Sequence, residues 1–331
     1  MSKSDIITPN SVARIGLLLI DGFALLSYAS FIEPFRAANR LAGATLYSWG
    51  HVSLSGEEAT ASNGARLVAD ARVGAPFACD MLFVFAAGDP ATFRDERCFA
   101  WLRDLARRGV AVGGISGGPF LLARAGLLHG RRATIHWEHA AALQAEFPDL
   151  ALGTGLYTID GDRMTCAGGT AGLDLALSLI ARDHGTDLGG RVAEWFIRAE
   201  QRGPDMAQRN GLATRYGTNN RRLLPMLAAM ESAIEEPLTR HALAARAGIS
   251  LRQLERLCID LLGASIAETY VRIRLDRAAE LLRSTGLQIT EVAMTCGFRT
   301  AAHFSHRFRT HFGISPTVAR KRAVNPSDKL Q

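Results

Sequence analysis

The sequence predicts two folds in series: an α/β sandwich built on a parallel sheet, followed by an all-α domain with two helix-turn-helix units. Three observations predict it. Short apolar runs alternate with amphipathic stretches from residue 13 to about 195, as expected of strands buried on both faces and joined by helices. Two helix, glycine-turn, helix patterns follow, at 238–262 and 289–316. A polar stretch rich in Arg, Gln, Asn and Gly separates the two parts, and 331 residues exceed what one core usually holds. The boundaries expected are 10–195 for the first domain, 196–220 for a linker and 221–322 for the second domain, with a disordered tail after that.

Composition narrows the function classes. With 48% hydrophobic and 21% charged residues the chain is expected to be soluble and globular. LLLI and the following DGFALL are too short for a membrane span and lack the basic flank of a signal peptide, so a cytoplasmic chain without a membrane partner is expected. Cysteines 79, 98, 166, 258 and 296 show no CxxC pair and no metal-ligand spacing; they read as reduced core residues, and no metal or other cofactor is expected. Residues 218–331 hold 17 Lys and Arg against 10 Asp and Glu, a net +7, which leaves −1 for the rest at the overall +6. A charge run alone is usually a solvated face; its coincidence with the helix-turn-helix patterns favours contacts with DNA phosphates.

In the first domain ARIGLLLI is a strand, Tyr28 to Leu41 a helix, TLYSWGHVSL a strand and DMLFVFAAG a strand ending at Gly88. Pro90 to Arg108 reads as a helix, VAVGGI as a buried strand and Gly117 to Ala125 as the helix after it. In GGISGGPFLLARAGLL the strand passes through Ser116 into that helix with only glycines between, an elbow that presents a residue at a helix N-terminus, where the dipole and free N–H groups favour an anion or an attacking heteroatom. Close packing of strand on helix is the competing explanation for the glycines. Glu33, inside the otherwise apolar YASFIEPFRAANRLAG, is expected to face a pocket and hold an ammonium group. Tyr28, Phe31, Trp49 and Trp137 are candidates for an aromatic cage around it, although core packing is the ordinary role of each taken singly. His136, Glu138 and His139 in HWEH lack the spacing of a helical ligand pair, which argues against a metal. Cys166 is expected in the core, with Gly168 and Gly169 bordering the pocket.

In the second domain Thr290 is placed as the cap of a short helix carrying Val292, Ala293 and Cys296, Gly297 as the turn, and Thr300 as the cap of the next helix. Phe304, Phe308 and Phe312 recur every four residues as its apolar face; Ala302, His303, Ser305, His306 and Arg309, flanked by Arg307, are the DNA-facing candidates. Upstream, Ala242 to Ala247 supports, Gly248 turns and Ser250 caps, with Gln253 completing a capping box. Leu254, Leu257, Cys258 and Leu261 face inward, leaving Arg252, Glu255 and Arg256 outward; Gln253 is a further DNA-facing candidate. A connecting helix over Ala264 to Ser284 carries Val271, Leu275, Ala278 and Leu282 at helical spacing.

The words LAARAGIS, LERLCIDLLGASIAETYVRIRLDRAAELL and ITEVAMTCGFRTAAHFSHRFRTHFGISP make residues 220–322 resemble the DNA-binding domain of the AraC/XylS family. That resemblance implies helices starting at Ser250 and Thr300 that enter successive major grooves about 34 Å apart, with Arg252, Glu255 and Arg256 reading bases. His306 stands where the family commonly has arginine or lysine, and Ala301 and Ala302 are short where polar side chains are frequent. The elbow, with RRATIHW after it, resembles the PfpI-type, class I glutamine-amidotransferase-like superfamily, implying a flavodoxin-like parallel-sheet sandwich with its site at Glu33, Gly88, Ser116 and His136. The superfamily's usual elbow residue is a cysteine; this chain has Ser116.

Together the two parts resemble the GlxA group of AraC-type regulators. The resemblance implies a transcription regulator, usually an activator and not an enzyme, that binds promoter DNA as a homodimer, works on RNA polymerase and senses a small effector such as an amino acid or quaternary amine. On that reading the amides of Ser116, Gly117 and Gly88 hold a ligand carboxylate, Glu33 holds its ammonium group, and His136 and Trp137 complete the pocket. The alternative is a PfpI-type hydrolase or hydratase tethered to DNA, with His136 as general base for Ser116.

Overall fold

The computed structural model describes residues 12–198, 202–209 and 211–324, and the chain divides into two compact units between Gln208 and Arg209. Of the expected disordered tail VNPSDKLQ, Val324 is instead the last residue of a helix, and residues 325–331 lie outside the described residues. Among the described residues no helix is long and apolar enough to cross a membrane, and all five cysteines are buried and unpaired.

The first unit begins with β1 (Ala13–Leu19), α1 (Leu25–Ala42) and β2 (Tyr47–Ser53), whose two strands pair in parallel. A hairpin of β3 (Glu58–Thr60) and β4 (Arg66–Val68) follows, then β5 (Ala71–Arg72) at the sheet edge beside β2. The chain returns to the other side of β1 as β6 (Met81–Ala86), continues through α2 (Glu96–Arg107) to β7 (Ala111–Ser116), and turns into α3 (Gly118–Arg124). Then come β8 (Arg132–Thr134), α4 (Trp137–Glu146), β9 (Ala151–Gly153), β10 (Tyr157–Asp160), β11 (Arg163–Cys166), α5 (Ala171–His184) and α6 (Thr186–Trp195). The main sheet runs β10-β11-β7-β6-β1-β2-β5, parallel except for β10. The strand order reverses between β1 and β6, and in such sheets ligands collect at the carboxyl ends of the strands.

Alternation along the strands explains the two layers. Leu17, Leu19, Phe83 and Phe85 point to the face covered by α1, α5 and α6, whereas Leu18, Leu82, Val84 and Val112 point to the face covered by α2, α3 and α4. Each of these eight is at most 1% exposed, which is why the strands read as continuous apolar runs. The helix expected from Pro90 to Arg108 is interrupted: Pro90–Thr92 forms one 3-10 turn, and α2 starts only after Asp95, whose carboxylate accepts from the amides of Arg97 and Cys98. α1 begins at Leu25, ahead of the expected Tyr28.

Residues 196–220 are not a plain connection. Arg198 and residues 202–208 fold back on the first unit, where the carbonyl of Pro204 accepts from the amide of Leu156 at 2.7 Å and Ala207 bridges Gly155. The turn leading there is a Schellman motif with an unusual occupant. Ile197 donates to Glu194 and Arg198 to Ala193, and Ile197, 95% exposed, takes φ +55°, where glycine normally sits.

The second unit is α7 (Leu212–Tyr216), α8 (Leu223–Ser232), α9 (Arg240–Ala247), α10 (Leu251–Leu262), α11 (Ile266–Ser284), α12 (Ile289–Thr295), α13 (Ala301–Phe312) and α14 (Pro316–Val324). α11 joins two small cores: Ile266, Tyr270 and Ile273 pack with α8, α9 and α10, and Leu275, Ala278, Leu281 and Leu282 pack with α12 and α13. Two expectations need correction. α12 is entered at Gln288, whose amide donates to Glu291, so Thr290 lies inside the helix. Leu261 is 45% exposed, because α10 turns its last residues away from its core.

Two stability consequences follow from close backbone geometry. A Cβ on Gly118 would lie 2.1 Å from the carbonyl oxygen of Val84, so Gly118→Ala is expected to lose about 3 kcal/mol by forcing α3 off β6, read as a lowered denaturation midpoint. Ile197→Gly removes a left-handed strain of about 1–2 kcal/mol, partly offset by the roughly 0.5–1 kcal/mol entropy penalty of glycine; since the Ile197 side chain packs on little, a small rise in Tm is expected.

Candidate functional site

The elbow is built by three close approaches. β7 ends at Ser116 and α3 begins at Gly118, and Ser116 adopts φ +61°, a left-handed conformation that a serine holds only when its surroundings impose it. The amide of Gly117 donates to the carbonyl of Ala86 at 2.7 Å, tying the turn to the end of β6. On the opposite side Gly168 leaves no room for a side chain: a Cβ there would lie 2.7 Å from Ser116 Cβ and 2.8 Å from Ser27 Oγ. Ser27, 2% exposed, accepts from the amide of Gly169 at 2.7 Å, and Ser30 donates to the carbonyl of Gly169.

A cavity of about 170 Å³ opens beside this elbow, lined by His136, Trp137, Gly168 to Ala171, and Arg202 and Gln208 among others. Its size suits a small molecule; a dry cavity of comparable volume takes a benzene ring. The loop between β11 and α5 supplies the floor, and no side chain caps the N-terminus of α5.

His136 is the N-cap of α4. Its amide donates to the carbonyl of Ser116 at 3.3 Å, its Nδ1 accepts from the amide of Glu138 at 3.4 Å, and its ring lies 5.2 Å from that of Trp137. Among the described residues no hydrogen bond joins the Ser116 hydroxyl to the imidazole. Burial lowers the pKa of His136 and, with the charge of His136 as a smaller cause, pushes that of His139 down to about 3, so both rings are neutral near pH 7. Because His136 sits at the cap and not within the helix, donor atoms of His136, Glu138 and His139 come within 4.8 Å of one another despite the unpromising spacing.

The other expected site residues fall elsewhere. Glu33 is not at the cavity; its carboxylate pairs with Arg36 one turn along α1 at 2.6 Å and is 43% exposed. The α1 residue beside the elbow is Ser27, six positions earlier. Gly117 has its amide committed to Ala86, and Gly88, exposed at φ +68°, is absent from the cavity wall. Ser116, 6% exposed, lies behind Gly168. No cage forms from the four aromatics: Phe31 is fully buried against Phe35, Phe83 and Phe85, Trp49 packs against the same core, and Tyr28 hydrogen-bonds His51 at 2.9 Å. Burial, with the nearby charge of Glu33, raises the Tyr28 pKa.

Ser27, Thr170, Arg202 and Gln208 escaped the sequence reading. Only the glycines at 168 and 169 hinted at this region; Arg202 and Gln208 sit in a stretch that lacks periodicity and looks like a linker.

In the second unit α10 and α13 repeat each other. Each has twelve residues, each is capped by a hydroxyl (Ser250, Thr300), and each ends on a left-handed glycine (Gly263, Gly313). The order of buried and exposed positions over 251–260 is the same as over 301–310. Arg252, Gln253 and Arg256 are exposed on α10 and Glu255 is half-buried; on α13 Ala302, His303, His306 and Arg309 are exposed, and Ser305 and Arg307 half-buried. The oxygen of the Gln253 side chain is occupied by the capping box with Ser250. Arg274 spans the second core, donating to the carbonyl of Cys296 at 2.7 Å with its guanidinium 4.2 Å over Phe298.

Comparison with known proteins places both units. Residues 13–182 match the DJ-1/PfpI family and residues 243–322 a helix-turn-helix domain. The HTH-type transcriptional regulator GlxA of Rhizobium meliloti is 43% identical over 314 residues, covering 95% of this chain and 97% of that one. The HTH-type transcriptional regulator CdhR of Pseudomonas aeruginosa is 42% identical, covering 93% and 91%. The crystal structure of an AraC family transcriptional regulator from Pseudomonas putida, 27% identical, covers 56% of this chain and 99% of its own with a TM-score of 0.50. A DJ-1/PfpI sandwich with an elbow at Ser116, followed in one chain by two matched helix-turn-helix units and shared almost end to end with these relatives, shows that the chain belongs to the HTH-type transcriptional regulators that join a DJ-1/PfpI domain to an AraC-type DNA-binding domain.

Proposed function

We propose that the chain regulates transcription by binding promoter DNA through α10 and α13 and a small effector in the cavity beside Ser116, acting as a homodimer that contacts RNA polymerase in the cytoplasm. The observation that carries the DNA part is the repeated exposure pattern of the two helices, which gives each a solvent face, and a major groove admits an α-helix. The two faces differ in chemistry. α10 presents Arg252 and Arg256, able to make bidentate contacts to guanine, with Glu255 beside them to accept from cytosine. On α13, Ala302 has no hydrogen-bonding group and the exposed His303 ring lies 5.8 Å from Phe298; Arg309, His306 and Ser305 serve mainly backbone contact, with Arg307 supporting them. Gln253 is spent on the cap and contributes to position more than to base reading.

The cavity supports the effector part. Trp137 offers an aromatic face for an ammonium or apolar group, Arg202 a cation for a carboxylate, and the neutral His136 an acceptor or donor of hydrogen bonds. The strained Ser116 favours the hydrolase alternative. Against it stand an imidazole whose Nδ1 is engaged by the Glu138 amide, a Gly117 amide committed to Ala86, and an expected acid, Glu33, that pairs with Arg36 at the surface. A serine without an engaged base is a poor nucleophile. On this reading Ser116 shapes the floor beneath the cavity and performs no chemistry.

Arg256→Ala should weaken binding to the cognate promoter by about 1–3 kcal/mol while leaving binding to unrelated DNA nearly unchanged; an equal loss on every sequence would mark Arg256 as a phosphate contact. For the effector, a thermal-shift screen of the full chain against amino acids, betaines and carnitine should find a compound that raises Tm saturably, worth about 2.7 kcal/mol at a hundredfold excess over Kd. Trp137→Ala should abolish that shift; a panel without any saturable shift would remove the support for effector sensing.

A further inference from the structure

The cavity wall includes two residues from the segment that leads out of the first unit. Asp174, in the first turn of α5 and wholly buried, accepts from Arg198 Nη2 at 2.7 Å, from Arg202 Nε at 3.1 Å and Nη2 at 2.7 Å, and from the Arg202 amide at 3.1 Å. Arg202 Nη2 also donates to Thr170 at 2.8 Å. Six residues later Gln208 is held by four hydrogen bonds: its Nε2 donates to Thr134 Oγ1 and to the carbonyls of Ile135 and Gly155, and its Oε1 accepts from the amide of Trp137. Between these two anchors Pro204 pairs with Leu156, and Gly155 lies so near that a Cβ would stand 2.3 Å from the Pro204 oxygen. The segment is a strap pinned at both ends over the cavity, and its last residue is the last residue of the first unit.

The anchors differ in how hard they hold. Releasing the ionic one breaks all three hydrogen bonds from Arg202 to a wholly buried carboxylate and leaves it Arg198 alone, which is unfavourable. The amide one rests on neutral hydrogen bonds, each of which water can replace. Gln208 is therefore the end that opens, and it bonds to the amide of Trp137, itself a cavity residue.

We propose that residues 202–208 form a latch that reads cavity occupancy, with Gln208 as its releasable end. This rests on the effector reading of the cavity. A small molecule seated among His136, Trp137 and Thr170 gains its contacts with Arg202 and Gln208 only while the strap is closed, so it binds the closed state better and shifts the population towards it. The same differential affinity makes strap closure raise ligand affinity by an equal factor. Since the chain passes from Gln208 directly to Arg209, pinning or freeing this residue sets the freedom of the connection into the DNA-binding unit.

The test is hydrogen exchange in the full chain, read at the amides of Leu156 and Trp137, which donate to the strap, with the amides of β6 and β7 as the control for folding. Gln208→Ala and the shorter Gln208→Asn should speed exchange at Leu156 and Trp137 by about tenfold or more and leave β6 and β7 unchanged. Glycine betaine, carnitine and L-arginine are then added singly. A compound that binds the wild-type chain should slow exchange at both amides, and its Kd should rise by about tenfold in the variants. A compound that binds wild type and variants equally, or binds without slowing those amides, overturns the latch while leaving the effector pocket intact. Should none of the three bind, the effector reading itself fails and the latch falls with it.

Discussion

The first unit is arranged around one tight passage. β7 ends at Ser116 and α3 starts at Gly118, leaving no loop to absorb the change of direction. The turn is possible only because Ser116 accepts a left-handed backbone, Gly118 lets α3 press on Val84, and Gly168 brings the next loop against the Ser116 side chain. Each contact fixes the next. With the loop at 168–169 drawn in, Thr170 and Ala171 at the start of α5 come to the cavity wall, Ser27 of α1 is brought under the Gly169 amide, and the remaining space becomes a cavity instead of more core. A pocket of defined shape thus follows from a backbone constraint more than from any one polar group.

Electrostatics divides the labour between the units. The second unit carries the positive excess and spreads it on exposed arginines of short, well-capped helices, where desolvation is small and attraction to phosphates acts at long range. The first unit is near neutrality and keeps its notable charge inside, where Asp174 takes two arginines from a segment otherwise without packing of its own. The same residue type therefore serves as a mobile surface charge in one unit and as a fixed structural pin in the other, according to whether a carboxylate waits in the interior.

The all-α unit owes its form to α11. Its early residues complete one small core and its later residues another, so neither helix pair could bury its apolar face without it. Two short helix pairs of this size are marginal alone; a shared, doubly capped rod makes them one body and fixes the spacing of α10 and α13, the property on which reading two grooves depends.

Local chemistry was enough for much of this. The apolar runs of β1, β6 and β7, the hydroxyl caps at Ser250 and Thr300, the glycine turns at 248 and 297, and the phenylalanine stripe of α13 are set by neighbours a few residues away, so the two-part architecture and the elbow could be read from the chain alone. The pocket could not. Glu33 looked like its acid because a carboxylate in an apolar helix suggests burial, yet one turn away Arg36 satisfies it at the surface, and the helix phase instead puts Ser27 at the elbow. Arg202 and Gln208 gave no signal, because their partners, Asp174 at 28 residues' distance and Thr134 at 74, are met only when the chain closes on itself. Which residues line the cavity depends on contacts between distant parts of the chain, and only the tertiary structure could decide it.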